Sequence, residues 1–224
     1  MNKRILSSAV LAMACCCTTI DVNAQTIDLF NGKDLSNWNF VVEKEAAKPA
    51  DVFKIRDGVI HIVGKPFGYM YTKARYADFK LHVEWRWPNG EATNSGIFMF
   101  VNPDKKANPG FVWPNGVECQ LAAGKAGDFV LLNGSDLKEF VLPAGAKRPA
   151  FPVVPKHHET VEMAIGTWNT ADITCEDGNI TVFINGKFMN QGSDSLHPSG
   201  HIGLQSEGKD IEFRNVRLTP KGVY

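Results

Sequence analysis

Long apolar runs are scarce in this chain of 224 residues. One short apolar stretch, Ile5 to Cys17, lies at the N-terminus. It falls below the roughly 20 residues that a membrane-spanning helix needs, and no later segment is longer and as apolar. An excess of charge is also missing, because 24 Lys and Arg balance 24 Asp and Glu. That excludes a basic surface for nucleic acid and a polybasic anchor for anionic lipid. Cysteine is sparse, five in all, and Cys15, Cys16 and Cys17 sit together in the N-terminal stretch. Cys119 and Cys175 are left in the body of the chain. Two cysteines make no disulfide framework, and their separation is not that of a metal site, so two buried thiols are favoured over a bridge. No dinucleotide fingerprint and no phosphate-binding loop is present, so no redox cofactor is expected.

The N-terminus reads as a targeting segment. Lys3 and Arg4 precede the apolar stretch, and Val22-Asn23-Ala24 ends on a small residue, which predicts cleavage before Gln25. A lipidation cut at Ala14-Cys15 is the alternative. Both routes export the protein, to the periplasm or beyond it. Residues 25–224 then form one domain with no linker and no internal repeat.

What is present is β-structure. Val52–Ile55 and Val59–Val63 flank Arg56-Asp57-Gly58, a hairpin signal. Ala171–Cys175 and Asn179–Ile184 flank Glu176-Asp177-Gly178, a second. Phe79, Leu81, Val83, Trp85 and Trp87 alternate with Lys80, His82, Glu84 and Arg86. This strand is expected to pair with 95–102 across a polar loop. Gly116–Ala122 alternates as well, with Glu118 and Gln120 opposite Val117, Cys119 and Leu121. Phe129–Leu132, His201–Ser206 and Ile211–Leu218 complete the set. In the last strand, Ile211 and Phe213 are out of phase with Val216 and Leu218, which predicts a bulge near Arg214-Asn215. Turn signals about every ten residues, with no helical period, point to an all-β sandwich or barrel. Residues 102–115 and 143–157 read as long surface loops, either of which could line a cleft.

In order, "LFNGKDLSNW", "DGVIHI", "YMYTKARYADFKLHVEWRW", "NSGIFMF", "GVECQL", "GTWNTADITCEDGNITVFINGK" and "GHIGLQSEGKDIEFRNVRL" resemble the 3-keto-disaccharide hydrolase family over residues 27–218. The resemblance implies a concanavalin-like jelly-roll sandwich of two antiparallel sheets. It also implies export and sugar substrates, for some members glycosides already oxidised at C3. The chain departs from the family in two places. Gln205-Ser206-Glu207-Gly208 lacks a His that often precedes this glycine, and the Pro88–Thr93 loop is longer than usual.

The candidate site follows from the polar faces. If the strands concerned share a concave sheet, Glu84, Arg86, Glu118, Gln120, His201 and Gln205 meet on one floor, with Asn94 at the rim and Trp113 as a sugar-stacking platform. A plain solvated face is the alternative for any antiparallel strand. It is the favoured one for Lys80 and His82, and His157 and His158 read as surface residues rather than metal ligands. Glu84 or Glu118 is expected to act as the base that removes the acidified C2 proton of a 3-keto sugar. Arg86, Gln120 or His201, or a divalent cation, would meet the enolate oxygen, and Gln205 and Asn94 would hold hydroxyls. Glu84 and Glu118 could instead be the carboxyl pair of ordinary glycoside hydrolysis. A carbohydrate-binding module without turnover, or a cell-surface assembly domain, are the rivals from other classes.

Overall fold

Alternating strands build two stacked antiparallel sheets in a computed structural model that describes residues 25–43 and 47–221. The expected signal segment, 1–24, lies outside the described residues. The first sheet runs β13 (Lys187–Gly192), β12 (Asn179–Ile184), β11 (Asn169–Glu176), β6 (Phe79–Arg86), β15 (Ile211–Pro220), β4 (Val59–Ile62), β3 (Phe53–Arg56), with β1 (Ile27–Asp28) also paired to β15. The second runs β10 (Val153–Val154), β9 (Phe129–Leu132), β8 (Asn115–Gln120), β7 (Gly96–Asn102), β14 (His201–Ser206), β5 (Gly68–Thr72), β2 (Trp38–Val42). A single turn of helix, α1 (Pro49–Val52), precedes β3. No helix among the described residues is long and apolar enough to cross a membrane.

The two hairpins form where the Asp-Gly dipeptides place them. β3 pairs with β4, and β11 with β12. Asp57 and Gly58 have φ of 48° and 74°, and Asp177 and Gly178 have 50° and 75°. Positive φ at both central positions matches the right-handed twist of the flanking strands. The expected bulge is present: Asn215 has φ of 49°, and the register of β15 on β6 shifts between Arg214 and Arg217.

The inward faces meet in one core. Phe79, Leu81, Val83 and Trp85 come from β6, Ile97 and Met99 from β7, and Val117 and Cys119 from β8. Each is at most 2% exposed, and burying side chains of this size contributes about 1.5–3 kcal/mol apiece. Cys119 and Cys175 are both free and buried.

The expected pairing of 79–87 with 95–102 is corrected. β6 lies between β11 and β15 in the first sheet, whereas β7 lies between β8 and β14 in the second. The intervening segment carries the chain from one sheet to the other. Alternation along β6 decides which of its sides faces the core, and the apolar run of β7 marks a strand covered on both sides; neither says which sheet the strand joins.

The second sheet differs from a plain sandwich layer in having a covered outer face. Tyr69, Phe98, Val101, Trp113, Val130 and Leu132 form a buried cluster there, apart from the main core. The two long loops supply its roof. Trp113 stacks on Phe67 at 5.8 Å, and Phe111 meets Phe151 edge-on at 4.9 Å.

Candidate active site

A hollow of about 280 Å³ opens on this covered face, and its polar lining is Asn94, Glu118, Gln120, Gln205 and Glu207, with Trp113 beside them. Alternation puts Glu118 and Gln120 outward on β8 while Val117 and Cys119 enter the core. On β14 it puts Gln205 outward, opposite Tyr69. β7 runs between these two strands. Its Gly96 pairs with Gln120, and Ile97 pairs with Leu204, so a residue without a side chain forms the floor between Glu118 and Gln205. A Cβ at Gly96 would come within 2.1 Å of Glu118 Oε1. The glycine is the reason the carboxyl fits.

The Asn94-Ser95-Gly96 stretch is pinned on both sides. Ser95 Oγ donates to the Gln205 carbonyl at 2.9 Å, and the Lys209 N–H donates to Thr93 Oγ1 at 2.9 Å. Between these anchors Asn94 reaches the hollow. Asn94 Oδ1, Glu118 Oε1 and Gln205 Oε1 are buried and have no protein hydrogen-bond partner. Buried polar atoms are nearly always paired, so three unpaired oxygens around one cavity mark a place for a ligand rich in hydroxyls. Gln120 is different, because its side-chain oxygen accepts from the N–H groups of Leu121 and Ala122.

Two carboxyls face the hollow, and burial acts on both. It pushes Glu118 well above the ordinary carboxylate range, and the charge of Glu207 adds to the rise. It raises Glu207 as well, but a hydrogen bond from Asn94 pulls the other way. Burial therefore opposes ionisation of Glu118 more strongly than of Glu207. Among the described residues no three or more His, Cys, Asp or Glu side chains are grouped to hold a metal ion.

Five of the residues expected in the site come together: Glu118, Gln120, Gln205, Asn94 and Trp113. Glu84 and Arg86 do not. They stand on the outer face of the other sheet, with the sandwich core between them and Glu118. Cross-strand register places Arg214 opposite Glu84 and Glu212 opposite Arg86. Glu84 accepts from Arg214 Nε at 2.6 Å and from Asn215 Nδ2 at 2.5 Å, and Arg86 Nε donates to Glu212 at 2.7 Å. Both guanidinium groups lie over the Trp168 ring, at 4.5 and 4.1 Å. This is a structural ladder of opposite charges. Arg86 neutralises Glu212, not Glu84 or Glu118. His201 shares the face of Gln205 but not the hollow. It lies four residues away, about 13 Å along the strand, where its ring meets Tyr71 edge-on at 5.1 Å and Nδ1 contacts the Ala74 carbonyl.

Two residues were not singled out from the sequence. Tyr69 is fully buried on the same face, and its hydroxyl has no protein partner. Glu207 lies in the segment between β14 and β15, where the chain departs from the family's usual His; that departure was the signal.

The chain matches the family described as the 3-keto-alpha-glucoside-1,2-lyase-like domain over residues 25–219. It belongs to that family. Solved structures share the fold at low identity. A protein from Parabacteroides distasonis assigned as a glycosyl hydrolase is 18% identical, with a TM-score of 0.62 over 88% of this chain and 94% of that one. The carbohydrate-binding module CBM66 from Bacillus subtilis is 14% identical, with a TM-score of 0.54 over 82% and 95%. The laminarinase catalytic domain from Thermotoga maritima is 11% identical, with a TM-score of 0.56 over 89% and 98%. No curated protein matches the chain. Family and fold together make this a carbohydrate-active β-sandwich.

Proposed function

We propose that the chain is an exported glycoside-cleaving enzyme acting on sugars already oxidised to the ketone at C3. The observation that carries this is the hollow itself, where a carboxyl that burial holds against ionisation and a more readily ionised one face the same space beside two amides with unpaired oxygens. In such a sugar the ketone acidifies the C2 proton. Glu207 takes that proton as general base, and the electrons pass into an enolate whose oxygen meets the Gln205 amide. The enolate then expels the C1 substituent, and Glu118 gives its proton to the departing oxygen. Water adds back across C1 and C2. The hydroxyl goes to C1 as Glu118 takes a proton from the water, and Glu207 returns the proton to C2. Both carboxyls end as they began. The division of labour follows the two surroundings, since burial and the charge of Glu207 both oppose ionisation of Glu118, whereas the Asn94 hydrogen bond favours it at Glu207.

The test compares a 3-keto-glucoside with its unoxidised parent, using residues 25–224. Release from the keto form alone, abolished in Glu118→Gln with the fold intact, supports the proposal. Equal release from the parent would assign ordinary glycoside hydrolysis by the same two carboxyls. Saccharide binding that survives Glu118→Gln, with no turnover of either compound, would assign a carbohydrate-binding module.

A further inference from the structure

The hollow is divided by sheet order. Its polar groups come from β8, from β14 and from the segments flanking β7 and β14. Trp113 just before β8, Val130 and Leu132 of β9, Val153 of β10 and Phe151 just before it complete the lining. Because the order is β10-β9-β8-β7-β14, the acids and amides sit toward the centre, where Trp113 packs on Phe98, and Val130, Leu132, Phe151 and Val153 lie toward the edge. Val130 and Val153 are direct cross-strand partners. At the boundary stands Gln120, whose oxygen is already taken by the backbone. The apolar character continues outward to solvent: Val153 is 45% exposed and Phe111, edge-on to Phe151, is 36% exposed.

We propose that this β9–β10 half is the leaving-group subsite and that it takes an apolar aglycone, an aryl or alkyl alcohol, in preference to a second sugar. The inference rests on the catalytic reading above and adds the class of substrate. The three unpaired oxygens already supply acceptors for the hydroxyls of one sugar ring. A second sugar would press its hydroxyls against Val130, Leu132 and Val153, which have no side-chain polar atom to offer. Val130 and Leu132 are 8% and 2% exposed, and a hydroxyl held against them without water or a partner weakens binding roughly tenfold or more. An apolar ring in the same place loses nothing on leaving water, gains from the area it buries, and can meet the Phe151 ring edge-on or offset.

The experiment uses the 3-keto form of benzyl glucoside against the 3-keto form of a glucose disaccharide. A sugar hydroxyl is more acidic than benzyl alcohol, so intrinsic leaving ability does not favour the benzyl compound. We expect kcat/KM for the benzyl compound to exceed that for the disaccharide by at least tenfold. Val153→Asp is expected to remove most of that advantage by lowering kcat/KM for the benzyl compound. Val153→Thr, nearly the same shape and milder for folding, should move in the same direction. A disaccharide cleaved as fast as the benzyl compound, or variants that slow both equally, would overturn the inference. If neither keto compound is cleaved, the catalytic reading has failed, and binding decides the subsite separately. Benzyl glucoside bound at least tenfold more tightly than methyl glucoside, with the difference lost in Val153→Asp, keeps the apolar subsite. Equal affinities, or no binding of either, remove it.

Discussion

Glu118 is 2% exposed and has an oxygen with no protein partner, an arrangement a merely structural carboxylate would not keep. Glu118→Gln is expected to abolish turnover and to stabilise the chain at neutral pH. The sign follows from the direction of the shift. Between the ordinary carboxyl value of 4.5 and the raised value in the fold, the folded chain holds a proton that the unfolded chain has lost. Stability therefore falls as pH rises through that window. The gain in Tm from Glu118→Gln should be present at pH 8 and gone at pH 4. Glu84 behaves oppositely. Burial raises its pKa, but the hydrogen bonds from Asn215 and Arg214 outweigh that and hold it low. Its contribution is present above 4.5 and is lost as the pH falls. Glu84→Ala should cost about 1.5–3 kcal/mol at pH 7 in denaturant melts, with the cost shrinking in acid, and should leave kcat/KM within twofold. Both glutamates lie on alternating strands inside family-like motifs, so the sequence could not tell site from ladder. What separates them is the partner opposite: Arg214 for Glu84, and Phe98 for Glu118.

The elements explain where those partners come from. The Asp-Gly hairpins were legible because two residues fix both the turn and the register. The bulge at Asn215 was legible because a phase slip in Ile211–Leu218 needs one extra residue. The neighbours of β6 were not legible, since they are supplied by β11 and β15, far along the chain, and no local signal names them. Gly96 makes an element-scale test. Its backbone is not in the left-handed region, but a new Cβ would meet Glu118 Oε1 at 2.1 Å, Cδ at 2.6 Å and Cγ at 2.7 Å, so the whole side chain must shift. Gly96→Ala should still fold, at a cost of about 1–3 kcal/mol for the overpacking. Its kcat should drop by roughly a hundredfold, the effect of displacing a catalytic group by about 1 Å. Normal activity in a folded Gly96→Ala protein would detach Glu118 from the chemistry.

At the scale of the whole molecule, one core holds both sheets together. Cys119 faces it from the second sheet and Cys175 from the first, and burial pushes Cys119 up to about 12 and Cys175 upward as well. Little thiolate is available, and neither sulfur is accessible. Residues 25–224 should show no reaction with a thiol reagent in the native state. Both thiols should become reactive together across a single denaturant transition. Stepwise exposure would mean that the sheets unfold separately.

The sequence by itself determined the strands, most of their turns, the balance of charge and the family, because these depend on period, composition and the order of motifs along the chain. Five members of the site followed from alternation and that resemblance. Only the tertiary structure decided which polar face becomes a cavity. β6 alternates and β7 is buried along its whole length, but neither pattern names a sheet: they enter opposite ones, and the loops of 102–115 and 143–157 roof only one of the two outer faces. A polar face left open to water pairs its charges across strands; a polar face that is covered leaves its oxygens unpaired and ready for a ligand.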